Sequence, residues 1–305
     1  MSLTEDQIRR LLIAVAHRRT GFILGAGASA PDVPVMRDLI QCVLKRFRED
    51  VHGFIPAQEV TPVHYLFAAA APDESTRQQL LASSRQTFRA FIAEGLHPKN
   101  EALRSAPDQY KVLAMTRPGV PIINYNVDGL ARVHCTSSKV MDVHGNVPEF
   151  VGRMRMTEVV LLTQEGIEIV PESSFWLPEP ELEAQLLQAL DPAYRCLLHI
   201  SQLVIIGYSF GLGGNGITDE VSFNAVVEYC GCRDIAIFVV DPAPSALAEC
   251  LGECLKNRTI TMIPVYWNLL CAAVLQVIRD GGVSNLGRGA AFSSSIIREY
   301  RQLLD

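Results

Sequence analysis

The sequence predicts an α/β fold in which one parallel sheet is covered by helices on both faces, and three observations predict it. Short apolar runs recur at 21–24 (GFIL), 120–124 (VPIIN), 140–143 (VMDV), 203–207 (LVIIG), 235–241 (IAIFVVD) and 260–265 (ITMIPV). They are mostly β-branched and apolar throughout, as expected of strands buried on both sides. Helical stretches such as 245–256 and 267–279 alternate with them, the order of a parallel sheet with crossovers. The first run leads straight into a glycine-rich stretch, GAGAS at 25–29.

In chain order, Thr4 followed by Glu5 and Asp6 predicts a helix start, a hydroxyl cap with negative charge at the positive dipole end. Ile8, Leu11, Leu12 and Val15 then share one face, and Arg18 and Arg19 close the helix. A second helix is expected over 36–48, with Leu39, Ile40, Val43, Leu44 and Phe47 inward. From 50 to 112 the texture turns alanine- and glutamine-rich, and prolines at 56, 62, 72, 98 and 107 divide it into short helices at 63–71, 74–94 and 100–105. This stretch reads as a helical insertion on the sheet's edge. Residues 150–180 suggest a hairpin near Gln164-Glu165-Gly166 and then a proline-rich loop, a short irregular insertion. Asp219 is expected to cap a helix at 219–229, and a last helix is expected at about 294–304.

Composition bounds the function. The 305 residues suffice for a single large domain, 1–305, and 49% are apolar against 20% charged, a well-cored chain. A net charge of −6 with no Lys/Arg run longer than two argues against nucleic acid. No window approaches the roughly 18 apolar residues of a membrane span, and the charged N-terminus does not read as a signal peptide. Eight scattered cysteines, at 42, 135, 196, 230, 232, 250, 254 and 271, predict reduced thiols and a cytoplasmic protein.

Five stretches carry chemistry. Gly25 and Gly27 in GAGAS follow a strand and precede a helix, where a bare backbone lets N–H groups approach a phosphate; a plain tight turn is the competing reading. In NYNVDGL, Asn126 and Asp128 come just after a strand's carboxyl end, where open α/β sheets place ligands; helix capping explains the same residues. His144, before Gly145, ends the next strand and serves either as a base or in closing a turn. Ser209 in GYSF and Asp241 in VVD end later strands, where they can meet a phosphate or ribose or simply turn the chain.

In order, GAGAS, V-P-x-x-R at 33–37, N-x-N-V-D-G-L, HG at 144–145 and G-Y-S at 207–209 resemble the sirtuin family and its broader SIR2-like relatives. The resemblance covers about 20–35, 120–147 and 203–242. It implies a Rossmann-like parallel sheet with helices on both faces and a helical insertion, and NAD as substrate. Carried over, it implies that Gly25, Ala26, Gly27 and Ser29 cradle the NAD phosphates with Arg37 nearby. Asn126 would hold the nicotinamide ribose or the attacking water, and Asp128 the carboxamide. His144 would be the general base, with Gly207, Ser209 and Asp241 along the adenosine half.

The chain departs from sirtuin deacylases on the substrate side. Their zinc module of two Cys-x-x-Cys pairs has no counterpart between Gly145 and Leu203, where Cys196 is the one cysteine, so 150–180 stands in its place and no zinc is expected. Tyr125, Val35, Met36 and Tyr208 replace family residues, and no acyl-lysine tunnel is visible. The pattern is similar to SIR2-like domains of prokaryotic antiphage defence. The leading expectation is therefore an NAD+ glycohydrolase releasing nicotinamide and ADP-ribose, activated by a protein partner or by homo-oligomerisation. A zinc-free deacylase or ADP-ribosyltransferase and a non-catalytic NAD sensor are the alternatives.

Overall fold

A computed structural model of the chain describes residues 5–17, 19–35, 38, 39, 41, 71, 73–82, 98, 100–116, 118–144, 193–212, 217, 219–256 and 258–279. Arg37, most of the helices expected at 36–48 and 63–71, the second half of the helix expected at 74–94, the 150–180 insertion and the helix at 294–304 lie outside the described residues.

Six strands form one sheet: β1 (Thr20–Leu24), β2 (Pro121–Asn124), β3 (Lys139–Asp142), β4 (Gln202–Ile206), β5 (Ala236–Asp241) and β6 (Ile260–Pro264). Every neighbouring pair is parallel, in the order β3-β2-β1-β4-β5-β6. The fold is Rossmann-like. Its strand order reverses between β1 and β4, so a crevice opens beyond their carboxyl ends, where such sheets hold their ligands.

Period-two alternation inside the apolar runs assigns the two faces. Phe22, Leu24, Ile122, Val204, Ile206, Phe238 and Val240 point to one side. There they meet helices α1 (Glu5–Ala16), α5 (Asp108–Ala114), α6 (Leu130–His134) and α9 (Trp267–Arg279). Ile23, Ile123, Leu203, Ile205, Ile237 and Val239 point to the other side. They pack on a 3₁₀ turn at Cys196–His199, on α7 (Glu220–Gly231) and on α8 (Ser245–Cys254). Each such side chain contributes roughly 1.5–3 kcal/mol of burial. Three shorter helices complete the described set: α2 (Ala26–Ser29), α3 (Glu74–Ala82) and α4 (Asn100–Arg104).

Helix α5 overlaps the end of the stretch read as an insertion, and the sequence reading did not anticipate it as a helix. Seven residues are too few to show a period, yet Tyr110 and Leu113 are fully buried in the first core and α5 packs on α9. Pro107 stands at its N-cap with ψ of 156°, which sets the helix start.

The loops after β1 and β4 touch backbone to backbone. Gly25 N–H donates to the Ile206 carbonyl at 2.9 Å and Gly27 N–H to the Gly207 carbonyl at 3.1 Å. Gly207 N–H in turn donates to the Val240 carbonyl at 2.9 Å. A Cβ on Gly27 would lie 2.8 Å from Gly207 Cα, and one on Gly207, whose φ is +56°, would overlap Gly27 Cα. Gly119 also has positive φ, +79°, but open space around its would-be Cβ. Gly119→Ala is therefore expected to cost about 1–2 kcal/mol of left-handed strain. Gly207→Ala should cost that plus about 1–3 kcal/mol for the collision. Urea unfolding of both variants checks this, and equal losses would mean that the contact is not holding the loops.

Candidate functional site

The site grows from the carboxyl end of β2. Tyr125 N–H still donates to the Leu24 carbonyl at 2.9 Å, which keeps the chain beside β1 for one residue past the strand. The next turn brings Asn126 and Asp128 inward, at 7% and 2% exposure, and Gly129 at φ +76° opens α6. Asp128 Oδ1 accepts the Leu130 N–H at 2.8 Å, an Asx-turn contact to the first residue of α6, whose N-cap is Gly129.

Ser29, on the turn after β1, is the hub. Its hydroxyl donates to Asp128 Oδ2 and accepts from Asn126 Nδ2 at 3.0 Å. With its one proton spent on the carboxylate, the 2.6 Å bond to the Tyr110 hydroxyl is donated by Tyr110. Asn126 Nδ2 also donates to the Gly25 carbonyl at 2.8 Å. Both N–H groups of that carboxamide are spent inside the protein, and its remaining capacity is the oxygen, an acceptor. A water or ribose hydroxyl is the kind of donor it takes.

The glycine stretch makes backbone hydrogen bonds within the protein. The Gly25 and Gly27 N–H groups turn inward to β4's loop, and Ala28 N–H returns to the Gly25 carbonyl at 2.8 Å. These glycines serve the close approach of two loops, and Ser29 supplies the polar centre. The structure does bring Gly25, Gly27, Ser29, Asn126, Asp128 and Gly207 into one contiguous cluster.

His144, two residues beyond β3, is 5% exposed and meets the Tyr125 ring edge-on at a centroid distance of 5.7 Å. Tyr125 stacks on Tyr208 at 4.2 Å, and Tyr208 donates its hydroxyl to Asp219. Tyr194 donates to the Ser222 carbonyl at 3.4 Å, so Tyr125 donates to Tyr194. Asp219 caps α7 as expected, accepting from Ser222 N–H at 3.1 Å, but its second oxygen belongs to this aromatic network. Phe210, fully buried at φ +53°, turns the chain beneath it, a conformation few large residues adopt. Sequence reasoning missed Tyr110 and Tyr194. It noted Tyr125 and Tyr208 only as departures, although two tyrosines at motif positions were a signal of aromatic filling.

Ser209 and Asp241 face a separate part of the crevice, a cavity of about 340 Å³ beyond β4 and β5 that Tyr208 also lines. That volume falls in the range of small-molecule sites. Asp241 Oδ1 accepts from Ala243 N–H at 2.8 Å, which leaves its second oxygen for a hydroxyl. Ala26 is the first residue of α2, between Gly25 and Gly27. Among the described residues no group of three or more His, Cys, Asp or Glu gathers to hold a metal, and no helix is long and apolar enough to cross a membrane.

No protein-family model matches the chain, and the curated proteins contain no match. One solved structure, described as "Structural Basis for the Mechanism and Regulation of Sir2 Enzymes", is similar over 98% of this chain and 99% of that chain, with 16% identity and a TM-score of 0.44. At that identity the likeness concerns the fold alone.

Burial shifts two groups in opposite directions. Desolvation raises the Asp128 carboxyl from 3.8 to about 6, against the pull of its bonds from Ser29 and Leu130. Desolvation lowers the His144 imidazole from 6.5 to about 4, and the Asp219 charge restores part of that. Near neutral pH the site thus holds a carboxylate and an uncharged imidazole. Between pH 3.8 and about 6 the folded chain keeps a proton on Asp128 that the unfolded chain has lost, so this group's contribution to stability falls as pH rises. Between about 4 and 6.5 the unfolded chain protonates the histidine while the folded chain does not, so His144's contribution rises with pH. Each is worth about 3 kcal/mol, and they nearly cancel. Removing one exposes the other. From pH 7 to 4.5, Asp128→Asn should lose stability more steeply than the wild type, and His144→Gln less steeply. Urea midpoints at both pH values read the slopes, and wild-type slopes in both variants would refute the assignment.

Proposed function

We propose that the chain hydrolyses NAD+ at the nicotinamide–ribose bond, giving nicotinamide, ADP-ribose and a proton. The observation that carries this reading is the orientation of Asn126, whose amide hydrogens are tied to Gly25 and Ser29 so that its oxygen remains as acceptor. Nicotinamide leaves NAD+ as a neutral molecule, so the bond breaks without a proton donor. What the reaction does need is a placed nucleophile, negative potential near the developing oxocarbenium ion, and a base. Asn126 Oδ1 would orient the water, the Asp128 carboxylate would supply the potential, and the uncharged His144 would take the proton. Asp241 and Ser209 would meet the adenosine half in the cavity beyond β4 and β5. The reversal of strand order between β1 and β4 supports a dinucleotide lying across this crevice.

The test is nicotinamide release from NAD+ by the purified protein without any acyl-peptide. Asn126→Ala and His144→Ala should each lower turnover by about 100-fold or more. Turnover that appears only with an acyl-lysine peptide would make it a deacylase. A rise in melting temperature with NAD+ but no products under either condition would make it a sensor.

The pH profile is a second test. Because His144 stays unprotonated down to about pH 4, the acid limb of kcat/KM near pH 6 should belong to Asp128. Asp128→Asn should therefore be slower but flat between pH 5 and 7. A limb that persists in this variant would assign it elsewhere.

A further inference from the structure

Asn126 and His144 follow the ends of different strands, β2 and β3, so chemistry that uses both requires the two strand ends to be held in register. Asn124 and Asp142 are the last residues of β2 and β3 and are direct partners across the ladder. Each stands two residues before one of the site residues. Asn124, fully buried, uses its carboxamide in three directions. Its Nδ2 donates to Asp142 Oδ1 at 2.8 Å and to the Asn126 carbonyl at 2.9 Å, and its Oδ1 accepts the Asn126 N–H at 3.2 Å. The Val143 N–H adds a main-chain bond to the Asn124 carbonyl at 2.9 Å. Asp142, with a side chain 1% exposed, has its second oxygen held by Arg132 Nε at 2.6 Å, which balances the buried charge.

We infer that Asn124 and Asp142 form a clamp that positions Asn126 relative to His144; its effect on turnover rests on the hydrolase reading. An Asx turn alone would need only the bond from Asn126 N–H. The bonds to Asp142 and to the Asn126 carbonyl go beyond that, and they need one acceptor and two donors in a single planar group. Aspartate at 124 would face the Asp142 carboxylate and lose both donors. Serine retains a polar group but is too short to span all three partners. Arg132 keeps the far end of the clamp charged and seated.

The experiment combines kinetics with hydrogen exchange on the full chain. Asn124→Ser should lower kcat for nicotinamide release about 100-fold, as expected for a displaced catalytic group, with KM for NAD+ within about threefold. Placed on Asn126→Ala, the same change should cost nothing further, because the clamp acts through Asn126. An equal loss in both backgrounds would overturn the proposal. Independently of turnover, exchange protection of the Asn126 N–H should fall at least about tenfold in Asn124→Ser, while that of Tyr125, bonded to Leu24, holds. Protection unchanged at Asn126, or lost equally at both, would overturn the clamp. If the wild type releases no nicotinamide, the hydrolase reading alone fails, and the exchange result still decides the clamp.

Discussion

The contact of the β1 loop with the β4 loop, main chain against main chain, is the constraint from which the site follows. Gly25, Gly27 and Gly207 lack side chains at the places where a Cβ would strike the opposite backbone. The Gly25 and Gly27 N–H groups bond across that contact, and the Gly207 N–H bonds to Val240 at the end of β5. The crevice at the strand-order reversal thereby gains a floor, and Ser29 comes to rest beneath the turn after β2.

On that floor a small polar network is used close to capacity. Ser29 gives its proton to Asp128 and accepts from Asn126 and Tyr110, which leaves little freedom in which way the Asn126 amide points. A buried carboxylate is costly unless hydrogen bonds surround it, and Asp128 receives two. Burial still holds its carboxyl near 6, so the network retains a group that titrates close to physiological pH. The oriented carboxamide and the titratable carboxylate thus arise from the same packing.

The other half of the crevice is aromatic. Tyr125, Tyr208 and Phe210 stack and tilt against one another beside His144, and the tyrosine hydroxyls find Tyr194 and Asp219. A bulky, satisfied cluster excludes water from the imidazole, which is why His144 remains uncharged well below neutrality. Tyr125 and Tyr208 in this cluster are two of the four motif positions, with Val35 and Met36, at which the sequence differs from the sirtuin pattern.

The strands and most described helices were legible in the sequence because apolar runs, their period and their turn residues are local properties. β5 and α9 lie within a residue or two of the bounds read from residues alone. The positions of Asn126, Asp128 and His144 just beyond β2 and β3 were legible too, because they follow from where the apolar runs stop. Helix α5 was not, since its burial comes from α9 and α6 rather than from its own seven residues. Nor could the sequence alone show that the glycines' N–H groups face inward, that Ser29 is a hub, or that Asn124 ties β2 to β3. Those facts depend on which loops meet across the sheet, and hydrogen bonds between residues 29 and 128 or 124 and 142 exist only once the sheet has closed that distance.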